Sequence, residues 1–292
     1  MAGLRIDQLP MPCDRFRIDK HSADFETDQS SVKEDAKRAK MLRKLAKSRK
    51  PRRAARMLKL ADTLDPSCTP QTPKTLASSR YMRVLRIPVI GAVLQLVAEH
   101  PALDICRFDI AKPSWALSPR DFRRERPNNL KAKLRADLLR SANKLGFDGV
   151  PDIEGFVLAF LHGEHTQFDD GTEHIHPHFH CLATGDWIAV IEELRKQRGY
   201  TATESSKKPI RARRKLEDLP YAFSYLLKSY WPRKWMGLVS GVNCNRRTRG
   251  HRRIPEPHHS EVLLWLHKFE PSDLILKMGV NQTRGGFSMS NL

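Results

Sequence analysis

Five cysteines (Cys13, Cys68, Cys106, Cys181 and Cys244) are scattered along 292 residues, and no two of them form a C-x-x-C pair. That absence argues against a paired-thiol zinc finger and against a disulfide framework. It fits a reducing compartment, the cytoplasm. Long apolar runs are also scarce: none is expected to reach the roughly 18 to 20 residues a spanning helix needs, so no membrane partner is expected. The opening residues, MAGLRIDQLPMPCDRFRID, have no apolar core of the kind a secretory signal carries. Acidic residues are the third shortage. Against 52 Lys+Arg stand only 33 Asp+Glu, a formal net charge of +19. Such a balance calls for a polyanionic partner; nucleic acid is the commonest, and an anionic membrane surface is the rival. No internal repeat is visible.

What is present falls into three stretches. Residues 1–80 read as a basic leader and linker. Within it KEDAKRAKMLRKLAKSRKPRRAARMLKLAD predicts one or two helices broken near Pro51, either a solvated tail or a DNA-gripping element. DPSCTPQTPKT reads as the linker that follows. Residues 81–240 change texture. RVLRIPVIGAVLQLVAE is apolar and predicts a strand or a helix beneath the main domain, and LDICRFDIAK alternates as a strand does. Leu130, Leu134, Leu138 and Leu145 mark one helical face, closed by Gly146. GFVLAFLHGEH predicts a strand, TQFDDGTEH a turn, and DWIAVIEELRKQRGY an amphipathic helix. The order strand, helix, strand, strand, helix, strand, helix implies an α/β (α+β) fold. Its central sheet should be antiparallel, because the two middle strands are joined too tightly for a crossover, with helices flanking it. Residues 241–292 read as a basic C-terminal extension.

The stretch HIHPHFHCLATG places His176, His178 and His180 at every second residue, so a strand would point all three to one face. Crowded imidazoles are costly unless something binds them, and His178 and His180 are therefore read as ligands of a metal ion. His176 stands at the edge of that reading, just before Pro177. Further on, YAFSYLLK sets Tyr221, Tyr225 and Lys228 at helical spacing on one face. A phenol near a cation or metal becomes a competent nucleophile, and an aryl phosphate ester would keep the energy of a broken DNA linkage for rejoining.

Together, H-P-H-F-H followed by Y-x-x-x-Y-x-x-K resembles the HUH endonuclease superfamily: the rolling-circle replication initiators of plasmids and small phages, and the related two-tyrosine transposases and relaxases. The resemblance spans roughly residues 104–235. It implies a palm resembling an RNA-recognition fold, a divalent metal (Mg²⁺ or Mn²⁺), and a third ligand from the neighbouring strand. Glu164 is the preferred third ligand because a carboxylate suits those ions, with His162 close behind and His165 a further candidate. It also implies Tyr225 as nucleophile, Tyr221 as a second one, and Lys228 steadying charge. The partners would be single-stranded or cruciform origin DNA, with host helicase and polymerase. Phosphate contacts are expected from Arg52, Arg53, Arg246, Arg247 and Arg249, with Lys37, Arg38, Lys44 and Lys47 beside them. Two alternatives of other classes are a DNA-binding protein holding a structural zinc, and a metallohydrolase of the cupin or amidohydrolase kind.

Overall fold

A computed structural model describes residues 27–168, 170–201, 209–213, 216, 223, 226–227, 231–238, 245–247, 252–283 and 286–290. The chain begins with three helices, α1 (Asp28–Ala46), α2 (Pro51–Leu64) and α3 (Ser79–Glu99). Thr27 caps α1 by accepting a hydrogen bond from the Ser30 amide, and Pro51 opens α2, where its missing N–H costs nothing. Ala39, Leu42, Met57 and Leu60 are fully buried between α1 and its neighbours. The basic leader is therefore part of the core and not a solvated tail.

Its polar residues explain how. Asp35 is buried and accepts hydrogen bonds from Ser78 Oγ (2.6 Å), the Ser79 amide (2.6 Å) and Arg80 Nε (3.1 Å), which pins the start of α3. Glu34 pairs with Arg38 at 2.9 Å and with Arg253, far along the chain. Burial works against the charge on Glu34, but the two guanidinium groups outweigh it and hold its pKa below the usual carboxylate value. A boundary at residue 80 would cut the first turn of α3. By length and composition α3 is also apolar enough to cross a membrane, contrary to the expectation from sequence. Arg83 and Arg86 interrupt its apolar string and make the run read short. Here Leu85, Val89, Val93 and Leu96 are buried inside the fold.

The sheet is built from β1 (Ile105–Ile110), β2 (Val157–Phe168), β3 (Glu173–Thr184), β4 (Ile210–Arg213), β5 (Pro232–Leu238), β6 (Asn245–Arg247), β7 (Arg252–Arg253) and β8 (Ile275–Met278). Its order is β4-β1-β3-β2-β5-β6, with β7 on β5 and β8 on β2. Between β1 and β2 run α4 (Pro119–Phe122) and α5 (Pro127–Lys144); α6 (Asp186–Lys196) follows β3. Leu130, Leu134 and Leu138 of α5 are buried as their spacing predicts, whereas Leu145 lies past the helix end and is exposed. The architecture is the expected α+β, but the sheet is mixed. The first four strands in the order are antiparallel, and β5 runs parallel to β2. A tight hairpin forces β2 and β3 to be antiparallel, while the long path from β3 to β5 through α6 leaves direction free. The C-terminal stretch is not an extension either. It supplies α7 (His258–Leu266), the edge strand β8 and a two-stranded ribbon of β9 (Val280–Gln282) and β10 (Phe287–Met289).

Candidate metal centre

β2 and β3 pair along their whole length, from Val157 opposite Ala183 to Gln167 opposite Glu173. The turn between them closes through Gly171, whose φ of 80° is one that glycine adopts without strain. This register sets His162 directly across from His178, and Phe160 across from His180. On the other side of β3, Asp109 of β1 stands opposite His180. Cross-strand neighbours share a face, so alternation brings His162, His178, His180 and Asp109 to one side of the sheet.

The three imidazoles converge. Their ligand atoms all lie within 4.8 Å of one another, and the ring centroids are 4.9 to 5.1 Å apart. His180 Nδ1 donates to Asp109 Oδ1 at 2.7 Å, and His178 Nδ1 donates to the His176 carbonyl at 3.3 Å. Each of these bonds fixes the proton on Nδ1 and leaves the Nε2 lone pair for a ligand. His178 Nε2 lies 3.3 Å from His162 Nδ1. Two donors on one tetrahedral zinc-like ion, each at about 2.1 Å, would be about 3.4 Å apart, so the spacing fits a shared cation. Burial, helped by the neighbouring His180, pushes the His178 pKa down to about 3, which keeps the ring neutral and its lone pair free. Asp109 is held well below the usual carboxylate range: burial opposes its charge, but the His180 hydrogen bond and Arg107 outweigh it.

Of the sequence candidates, His178 and His180 sit in the group and His162 joins them. Glu164 does not: it lies opposite His176, on the same face and two residues farther along β2, outside the cluster. His176 is drawn aside, donating from Nε2 to the Lys112 carbonyl at 3.1 Å. His165 is on the opposite face. Two contributors went unnoticed in the sequence, Asp109 and Trp231. Trp231 lies against the bare backbone of Gly163, where an added Cβ would come within 2.3 Å of the ring, and its ring centroid is 5.6 Å from that of His162.

Tyr221, Tyr225, Lys228 and Arg249 lie outside the described residues. Arg246 and Arg247 form β6 against β5. Arg52 is exposed on α2, but Arg53 pairs with Glu261 of α7 and Arg38 is buried, so neither is free to grip phosphate. No protein-family model matches the chain, and neither a curated protein nor a solved structure matches it.

Proposed function

We propose that the chain is a metal-dependent, site-specific single-strand DNA endonuclease and strand transferase. It would nick DNA through a tyrosine to start rolling-circle replication of a plasmid or phage in the bacterial cytoplasm, with host helicase and polymerase following. The observation that supports this most is the convergence of His162, His178 and His180 on one sheet face with Asp109 behind His180. The donor set bears on the metal. Three imidazoles suit Mn²⁺ better than Mg²⁺, which prefers oxygen ligands. When bound, the ion would polarise a scissile phosphate and offset its developing charge.

The chain's own residues would do the rest. Asp109 holds the His180 proton on Nδ1 and so aims Nε2. Tyr225 Oη would attack phosphorus, the 3′ oxygen would leave, and a 5′-phosphotyrosine and a free 3′-hydroxyl would result. Tyr221 would serve the second transfer, and Lys228 would steady the phosphate charge. These three roles rest on the Y-x-x-x-Y-x-x-K spacing. The excess of 52 Lys+Arg over 33 Asp+Glu supports a nucleic-acid partner.

The test is to incubate the full chain and Mn²⁺ with single-stranded DNA from the flanks of its own coding sequence, then look for a covalent protein–DNA band. The expected result is an adduct lost in Tyr225→Phe and in the His178→Ala/His180→Ala double variant. An adduct that survives Tyr225→Phe but not Tyr221→Phe exchanges the two tyrosines. The three-imidazole set also suits structural zinc in a DNA-binding protein without chemistry. DNA binding with no adduct under any metal would favour that second reading.

A further inference from the structure

Three residues outside this centre make a second cluster. His165 lies three residues beyond His162 on β2 and therefore points to the opposite face of the sheet. Glu173 opens β3, and His258 is the first residue of α7. Glu173 bridges the two histidines: Oε2 is 2.5 Å from His258 Nε2, and Oε1 is 3.7 Å from His165 Nε2. The two rings stack with centroids 5.1 Å apart and planes at 23°. The ligand atoms of all three residues lie within 4.8 Å of one another.

His165 is the anomalous member. It is fully buried, and among the described residues neither ring nitrogen has a hydrogen-bond partner. A buried polar ring left so is uncommon and costly, and a bound ion is one of the few things that would satisfy it. Burial, together with the nearby His258 and Arg233, pushes its pKa down to about 4, so the ring is neutral and its lone pair unprotonated at neutral pH. The carboxylate of Glu173 offsets the positive potential of Arg233 and of the start of α7.

We propose that His165, Glu173 and His258 form a second metal site, which binds Zn²⁺ and ties α7 to the β2–β3 hairpin behind the first centre. Two imidazole nitrogens and one carboxylate oxygen are a donor set suited to zinc and poorly suited to Mg²⁺ or Ca²⁺. Glu173 and His258 keep some exposure to solvent, so a water can complete four-coordination. His258 is far in sequence from the other two ligands, and a cation joining it to them closes a long loop of chain, where a cross-link restricts the unfolded state most. The site does not depend on the nuclease reading.

Metal counting decides it. The full chain is stripped with chelator, loaded with excess Zn²⁺, desalted and analysed for bound zinc. With both sites filled, the wild type carries two equivalents, and Glu173→Gln and His178→Ala/His180→Ala each carry one. Should the wild type carry one equivalent that Glu173→Gln abolishes, the second site stands and the first centre does not bind zinc. Zinc retained in full by Glu173→Gln, or lost entirely from His178→Ala/His180→Ala, overturns the proposal. Folding is controlled with a milder variant, His258→Asn, and with cobalt. Co²⁺-loaded His178→Ala/His180→Ala should show visible absorption that His258→Asn removes. Absorption unchanged by that substitution overturns the proposal as well.

Discussion

Asp109 acts through His180: its carboxylate holds one ring nitrogen so that the other can face a metal. Asp109→Asn keeps the shape but loses the charge. Outer partners of this kind typically contribute 10–100-fold in affinity, so Mn²⁺ binding should weaken by about that factor with the fold intact. Calorimetric titration of both chains would measure it, and equal affinities would remove Asp109 from the centre. His178 gives a pH signature. Above about pH 6.5 the imidazole is neutral in both states. Below that, the unfolded chain takes up a proton that the folded chain refuses until about pH 3, because burial and His180 disfavour the cation. Stability of the metal-free protein should therefore fall as pH drops through this window, by at most about 1.4 kcal/mol per pH unit for each such imidazole. His165, lowered to about 4, adds to the same trend. Urea midpoints in chelator at pH 7.5, 6 and 5 would report it; a flat series refutes it. The pairing of the candidate ligands His178 and His180 on one strand face was legible in the sequence because alternation along a strand is local. Asp109 was not, because which β1 residue faces His180 is set by a register between positions 71 residues apart.

At the level of elements, the start of α3 is held by a side chain from α1. Asp35 accepts from Ser78 Oγ, the Ser79 amide and Arg80 Nε, all of them buried. Asp35→Ala would strand these donors and leave the Arg80 guanidinium without its carboxylate. Removing one partner of a buried pair costs about 3–5 kcal/mol, so the unfolding midpoint in urea should drop by that equivalent. A loss below 1 kcal/mol would show that water replaces the carboxylate. The same network explains why these helices read in the sequence as a basic leader, either a solvated tail or a DNA-gripping element. KEDAKRAK looks like surface, and only the packed structure shows Glu34 turned inward against Arg38 and Asp35 turned inward against the start of α3. Glu164 lies outside the histidine group for a similar reason. Chemistry favoured the carboxylate, but pairing set His162 opposite His178 and left Glu164 opposite His176.

Across the whole molecule, the outer faces of α1 and α2 are among the surfaces that offer charge to a polyanion. Lys37, Lys44, Lys47 and Arg52 are exposed, while Arg38 and Arg53 are consumed internally. Deleting the helices would break the core, so the test is substitution of those four residues by Gln. For single strands each lost phosphate contact lowers the salt slope by about 0.7, so the slope of log affinity against log salt should flatten by up to about 3 if all four are engaged. An unchanged slope would place the DNA path elsewhere. The outer edge of β2 carries a different consequence. That edge is covered in two pieces, β8 against Val157–Phe160 and β5 against His165–Phe168. Both covering strands are translated well after the hairpin, β8 last of all. On the ribosome, the histidine-bearing hairpin therefore waits with one side unpaired, open to other nascent chains. Stalled products that end before residue 232 would keep that side bare and be the ones chaperones must hold.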